Sequence, residues 1–332
     1  MPSASPVPIN VAVVGLGTIG RAVAAAVAAD NEMRLAGLVD LDPKKIGRML
    51  SELGVASDNA AVVIDDVERL DAIDVAIVCT GPRLDRVAPT LRQLMMKKAH
   101  IVSSCEELAW PWLRLPHLAD ALTNEARKAG VAIVGAGVNP GLALDTMPLL
   151  LASSVSNVKK VKGTRVVDLR TVRPSVLRQS GVTQTAVQFR ALLKQNLVGH
   201  VGLGESVVLI AQGLGRHPMR GDVRTSVATV LAEANIDSAL GRIDAGQVCG
   251  IRQTAGWQGD GIEIELELHM CLTNADPRDE VQITGERTAT LLVPGGTPDD
   301  ATAAVLVNVA RLLPRVPPGL RTMLDLPVVG SR

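Results

Sequence analysis

Apolar and polar positions follow two different grammars along this chain. Through the first 150 residues, short unbroken apolar runs alternate with stretches of helical periodicity. Residues 9–14, 33–39, 73–79, 99–103 and 131–134 read as buried strands, and residues 60–64 as a shorter one. Between them, residues 21–29, 84–98 and 118–129 place apolar side chains at helical spacing. Asp42-Pro43-Lys44-Lys45 opens what reads as a further helix, with Asp42 as N-cap and Pro43 at the first helical position. Strand and helix in alternation predict an α/β fold, a Rossmann-type doubly wound parallel sheet. After about residue 150 the grammar changes. Residues 161–171 read as a strand, and residues 185–197 and 206–212 as helices. Residues 261–272 alternate: Ile262, Ile264, Leu266, Leu268 and Met270 face one way, Glu263, Glu265, Glu267 and His269 the other. That is a strand with one buried face, as in an antiparallel sheet, its glutamates solvated or covered by another subunit. Pro294-Gly295-Gly296 then marks a boundary, and residues 299–313 read as an amphipathic helix.

The first strand runs directly into Gly15-Leu-Gly17-Thr18-Ile19-Gly20 and an alanine-rich helix. This order fits a strand that turns tightly into a helix. Gly15 permits the turn, Gly17 admits a pyrophosphate close to the backbone, and Gly20 lets helix and strand pack closely. The amides around Thr18 and Ile19 would then face the phosphates at the helix N-terminus. The next strand ends in Asp40, where a carboxylate would hold the adenosine ribose hydroxyls. Asp40 favours NAD, whereas Lys44, Lys45 and Arg48 would offset its repulsion of a 2′-phosphate if they turned inward. The cofactor expected is NAD or NADP. Residues 1–149 thus read as a dinucleotide-binding domain and residues 150–292 as an α+β substrate and oligomerisation domain with a largely antiparallel sheet. Residues 293–332 read as a C-terminal segment returning to the first domain.

Composition narrows the functions available. Lys plus Arg and Asp plus Glu both number 34, and no basic run forms a face for nucleic acid or an anionic membrane. No uncharged apolar stretch reaches the roughly 18–20 residues that a membrane helix needs. The four cysteines are scattered without CxxC or Cys/His spacing, which points to a reducing cytoplasm and no metal. The Ser/Pro-rich residues 1–8 lack a signal-peptide core. The chain has no tyrosine, so no mechanism can draw a tyrosine acid from it.

Ligands of doubly wound sheets bind outside the carboxyl ends of the strands. Besides the glycine loop, that rule selects Cys79-Thr80-Gly81-Pro82, Ser103-Ser104-Cys105-Glu106-Glu107 and Gly137-Val138-Asn139-Pro140-Gly141. Adjacent acids at a strand end could take protons and stabilise developing charge during hydride transfer, or could cap the following turn. Asn139 could line the site or be a helix N-cap before Pro140. His200, set among glycines in Gly199-His200-Val201-Gly202, could be a ligand or an exposed bystander. Cys105 fits a small residue ending a buried strand better than a reactive thiol.

Several longer segments carry a resemblance. They are Val11 through Gly20, Ile101-Val-Ser-Ser-Cys-Glu-Glu-Leu108, Gly135-Ala-Gly-Val-Asn-Pro-Gly141 with Asp145-Thr146, and Arg165-Val-Val-Asp168. Further along come Gly199-His-Val-Gly-Leu203 with Glu205-Ser206, then Asp276-Pro-Arg-Asp279 and Pro318-Gly-Leu-Arg-Thr322. In these the chain resembles the 2,4-diaminopentanoate dehydrogenases and related native amine dehydrogenases, within the dihydrodipicolinate-reductase-like architecture. The resemblance implies that Glu106, with Glu107 as the alternative, handles the substrate amine. It implies that His200 belongs to the substrate pocket and Asn139-Pro140 to a wall of the nicotinamide site. Relatives line the amine pocket with several aromatic residues, whereas this chain offers only Phe189 and three tryptophans. The paired-histidine motif of dihydrodipicolinate reductase is missing.

The expected function is reversible oxidative deamination of a primary amine or diamino acid by an NAD(P)-dependent enzyme, with reductive amination of a carbonyl as the reverse reaction. Its expected partners are a small amine or carbonyl substrate and a second copy of the chain. An NAD(P)-dependent C=N or C=O reductase of an amino-acid pathway, and a non-catalytic dinucleotide sensor, stand as alternatives.

Overall fold

The structure is a computed structural model and describes residues 7–273, 276–297, 301–327 and 330. The chain forms two compact units, Met1–Val138 with Asp300–Arg332, and Asn139–Asp299.

In the first unit, β1 (Ile9–Val14), α1 (Thr18–Ala28), β2 (Met33–Val39), β3 (Val63–Ile64), β4 (Val75–Val78), α2 (Leu84–Met96), β5 (His100–Ser103), α3 (Pro116–Ala129) and β6 (Ala132–Gly135) follow in chain order. The strands pair in parallel in the order β6-β5-β4-β1-β2-β3. The apolar runs have a direct cause, because both faces of the sheet are covered. Val11 and Val13 of β1 enter one core cluster with Val23 and Val27 of α1. Ala12 and Val14 enter another with Leu91 and Leu94 of α2 and Leu122 of α3. Winding reverses between β1 and β4, so the carboxyl end of β1 is the topological switch point, where such sheets bind ligands. Two expectations need correction. Residues 42–48 form turns rather than a helix, since the Asp42 carboxylate accepts the Lys44 amide at 3.0 Å in an Asx-turn. Gly47 N–H then donates to Val63 and Val63 N–H to Arg48, so these amides are taken by bridging instead of a helical ladder. Of residues 60–64, only Val63–Ile64 is strand.

The second unit contains α4 (Thr146–Ala152), β7 (Lys160–Asp168), α5 (Pro174–Gln179), α6 (Ala186–Lys194), α7 (Leu203–Gly213), β8 (Arg224–Leu231), β9 (Ile236–Ser238), β10 (Gly241–Ile243), β11 (Val248–Gly259), β12 (Ile262–Cys271), β13 (Arg278–Thr284) and β14 (Thr288–Pro294). Six of these strands form a sheet ordered β14-β13-β7-β12-β11-β8, antiparallel except for β7 with β12. β9 and β10 form a separate antiparallel pair. One face of the large sheet packs its apolar residues, among them Ile251, Trp257, Leu266 and Ile283, in a core with residues of α5, α6 and α7. On the other face Lys160 pairs with Glu263 at 3.0 Å and Glu265 at 2.7 Å, and Lys162 with Glu267 at 3.6 Å. The glutamate row is therefore matched by lysines one strand over. α6 is capped by Thr185, whose hydroxyl accepts the Gln188 amide in a reciprocal capping box.

The chain then returns to the first unit. α8 (Ala301–Leu312) contributes Leu306, Val309 and Ala310 to the core beside α1, and β15 (Gly319–Arg321) pairs in parallel with β6 as the seventh strand. Residues 299 and 300, placed in this helix by its periodicity, lie outside the described residues. Among the described residues no helix is long and apolar enough to cross a membrane.

Candidate active site

The glycine loop shows what each glycine is for. Gly15 has φ +88°, and a Cβ there would stand 2.8 Å from the Cys79 carbonyl oxygen. A Cβ on Gly20 would collide with the carbonyl oxygen of Gly15. At Gly17 nothing lies within 4 Å of a Cβ position, and the first turn of α1 carries no acidic side chain. Open space at Gly17, helix-end amides without a side-chain cap and a first turn free of acidic side chains are what a dinucleotide pyrophosphate requires, so these residues fit the group. Thr18 is exposed on this turn, whereas the Ile19 side chain is buried in the core and only its backbone is available.

Asp40, at the end of β2, is tied to the same loop. Its Oδ2 accepts the Leu16 amide at 2.6 Å and Lys45 Nζ at 2.9 Å, and its Oδ1 accepts the Asp42 amide at 2.9 Å. Burial works against the charged carboxylate, but the Lys45 hydrogen bond and the two amides outweigh it and hold the pKa below the ordinary aspartate value. The neighbouring loops are tied by main-chain bonds: Cys79 N–H donates to Val14, Ser104 N–H to Val78 and Glu107 N–H to Pro82. Thr80, Gly81 and Pro82 therefore sit between the glycine loop and the acidic pair, at the carboxyl edge of the sheet.

The two adjacent glutamates differ sharply in surroundings. Glu107 is buried; its Oε1 accepts Arg83 Nη1 at 2.8 Å and its Oε2 accepts the Leu84 amide at 2.8 Å, which caps α2. Glu106 is half-buried in the same short helical turn, Glu106–Ala109. Cys105 is fully buried, and its burial, followed by the charge of Glu106, pushes the thiol pKa up, so it stays protonated.

In the second unit, Asn139, Pro140 and His200 come together around a polar cluster. Asn139 Nδ2 lies 3.1 Å from His200 Nε2, and the buried Asn139 Oδ1 has no hydrogen-bond partner among the described residues. Asn139 is not a helix N-cap. The cap is Asp145, which precedes α4, accepts the amides of Gly141 and Thr146 and binds the Ser206 hydroxyl at 2.8 Å. Burial raises the Asp145 pKa, opposed by those hydrogen bonds. His200 is held by its backbone: its N–H donates to Gln253 Oε1 at 3.0 Å, and its carbonyl accepts Gln253 Nε2 at 2.8 Å. Burial pushes the imidazole pKa down and the Arg165 charge adds to this, against a backbone hydrogen bond with Asn139, leaving it at about 4. At neutral pH the ring is uncharged.

Gln253, Leu268, Arg165 and Asp279 lie side by side in register across β11, β12, β7 and β13. Arg165 Nη1 reaches both Asp279 oxygens at 2.7 Å, and Asp279 also accepts the Thr297 amide and hydroxyl. Sequence reasoning missed Gln253, Arg83 and the role of Asp279. The readable signal for Gln253 is a polar residue at an inward position of β11, between Ile251 and Ala255. Phe189 is 1% exposed and packs in the core against Gly181, and Trp257 is buried on the inner sheet face, so neither faces a ligand.

Residues 142–331 match the family described as the 2,4-diaminopentanoate dehydrogenase C-terminal domain. The chain belongs to this family. Residues 9–106 match the oxidoreductase family with an NAD-binding Rossmann fold. Among curated relatives, the 2,4-diaminopentanoate dehydrogenase of Acetoanaerobium sticklandii is 27% identical over 96% of this chain and 94% of its own length. An amine dehydrogenase of Streptomyces virginiae is 23% identical over 62% of this chain and 59% of its own. The solved amine dehydrogenase from Mycobacterium smegmatis shares the fold, with a TM-score of 0.88 and 21% identity over 98% of this chain and 97% of that one. The protein is thus an NAD(P)-dependent oxidoreductase of the diaminopentanoate dehydrogenase family.

Proposed function

We propose that this protein catalyses reversible oxidative deamination of a primary amine or diamino acid, with Glu106 as the acid–base residue. The observation that carries the choice of Glu106 is the commitment of Glu107. A carboxylate that caps a helix and pairs with Arg83 inside the fold is not available to a substrate, which leaves its neighbour. Bound at the glycine loop, a nicotinamide dinucleotide supplies or accepts the hydride. The protein's own groups supply the rest. Glu106 pairs with the substrate ammonium, accepts its proton, and supports the cationic C=N carbon electrostatically. It then orients the water that attacks this carbon, so that ammonia leaves and a carbonyl remains. His200, neutral and with Nε2 facing the Asn139 amide, acts as a hydrogen-bonding wall of the substrate pocket. Asn139 Oδ1 remains as an acceptor for a ligand donor such as the nicotinamide carboxamide.

The test is amine-dependent reduction of NAD or NADP, with Glu106→Gln and Glu106→Ala beside the wild type. Retained turnover in Glu106→Ala would remove its assigned role, and carbonyl reduction without ammonia would overturn the amine reading.

The same reading includes a homodimer in a reducing cytoplasm. Support comes from the charged face of the large sheet, where acid and base alternate in a self-complementary set. No cysteine of the described residues is in a disulfide, although the Cys249 and Cys271 sulfurs are only 3.6 Å apart. Light scattering of the purified protein tests the dimer.

A further inference from the structure

A cation stands against the carboxylate expected to recognise the adenosine ribose. Lys45 Nζ is 2.9 Å from Asp40 Oδ2 and 3.8 Å from Asp42 Oδ2, with the Asp40 side chain 10% exposed and that of Lys45 24%. An aspartate selects NAD in two ways: its charge repels a 2′-phosphate, and its free oxygens accept the ribose hydroxyls. Neither holds fully here. The charge is neutralised by a partly buried ammonium, and Oδ2 already accepts two donors while Oδ1 accepts one. Oδ1 keeps one lone pair for a ribose hydroxyl. The backbone of Lys45 is pinned, its amide donating to the Asp42 carbonyl at 2.9 Å, so the ammonium moves on the end of a flexible four-carbon stem from a fixed root. Lys44 and Arg48 are exposed on the same turn.

We propose that Lys45 sets the cofactor choice, remaining on Asp40 when the ribose carries a free hydroxyl and swinging to the phosphate when it carries a 2′-phosphate. The protein then takes both NAD and NADP, and Lys45 is the group that makes NADP acceptable. This rests on the dinucleotide reading of the glycine loop and deepens it.

The test is direct titration of the full-length protein with NADH and with NADPH, followed by nicotinamide fluorescence without substrate. Wild type is expected to bind the two within about tenfold of each other. Lys45→Met is expected to weaken NADPH by about tenfold or more, the size of a lost hydrogen bond between charged groups, and to leave NADH within about threefold. Lys45→Arg should retain NADPH binding, and Lys44→Met should change neither. Wild-type NADPH binding should also weaken more steeply with salt than NADH binding. An unchanged NADH-to-NADPH ratio in Lys45→Met overturns the role of Lys45 while leaving the dinucleotide site standing. Binding of neither cofactor by wild type overturns the dinucleotide reading itself. Should Lys45→Met fail to fold, equal salt slopes for the two cofactors in wild type overturn the proposal.

Discussion

Glu107→Ala should destabilise the first unit, whereas Glu106→Ala should not, although the two residues are adjacent. The substitution leaves the buried Leu84 amide without its acceptor, a loss of roughly 1–3 kcal/mol. It also removes the carboxylate partner of Arg83. Because the Arg83 side chain is 27% exposed, water compensates and this loss is nearer 1 kcal/mol, in the range of partly screened pairs. Together these come to about 2–4 kcal/mol, concentrated at the start of α2, whose Leu84, Val87, Leu91 and Leu94 are buried. A unit of this size loses about 2–4 °C in melting temperature per kcal/mol, so a downward shift of roughly 4–16 °C is expected. Calorimetry of wild type, Glu106→Ala and Glu107→Ala gives the shift. Amide exchange at residues 84–88 shows whether loosening starts at α2. Glu106→Ala, which leaves the Glu107 cap on the Leu84 amide in place, should melt within about 1–2 °C of wild type and lose turnover by at least about hundredfold. A Glu107→Ala protein with the wild-type melting temperature but no turnover would refute the division of labour between the two acids.

Three other outcomes follow from the geometry. Gly20→Ala drives a methyl into the Gly15 carbonyl and should lower stability by more than about 3 kcal/mol, seen as loss of soluble protein or of cofactor binding. His200 has a folded pKa of about 4 against an ordinary value of 6.5, so the unfolded chain takes up its proton first as the pH falls. Its contribution to stability is complete above about pH 6.5 and declines from there towards pH 4, and urea midpoints of wild type and His200→Asn at both ends should converge in acid. Gln253→Leu removes both hydrogen bonds to the His200 main chain and should raise KM for the amine more than it lowers kcat, with a stability loss of about 2 kcal/mol by urea titration. An unchanged KM would show that the position of residue 200 does not depend on this contact.

The parallel sheet was legible because strands covered on both faces leave unbroken apolar runs, and because the glycine loop states its own steric demands. β12 was legible for the opposite reason, one face apolar and the other charged. β11 was not, since Gly250, Gly256 and Gly259 interrupt it and its inward polar residue, Gln253, hides the alternation. The parallel pairing of β7 with β12 joins segments about a hundred residues apart, which no local pattern encodes. Residues 42–48 misled for a chemical reason: Asp followed by Pro begins an Asx-turn as readily as a helix. Within the site, the fold class and the cofactor type could be read from loop positions. Which of two neighbouring acids turns inward could not, because the answer lies in Arg83 and Leu84, more than twenty residues earlier.

The return of the chain has a consequence for how the protein is made. The second unit is one continuous stretch, while the first lacks Leu306, Val309, Ala310 and Leu313 of its core, and the seventh strand of its sheet, until residue 321 has been synthesised. During translation the glycine-loop half therefore emerges first yet matures last. For some two hundred residues of synthesis, about ten to forty seconds at ordinary ribosome speeds, the apolar face meant for α8 has no cover. That nascent surface is where chaperones would engage this chain, and a ribosome stalled before residue 301 would release a protein with a finished second unit and an open first one.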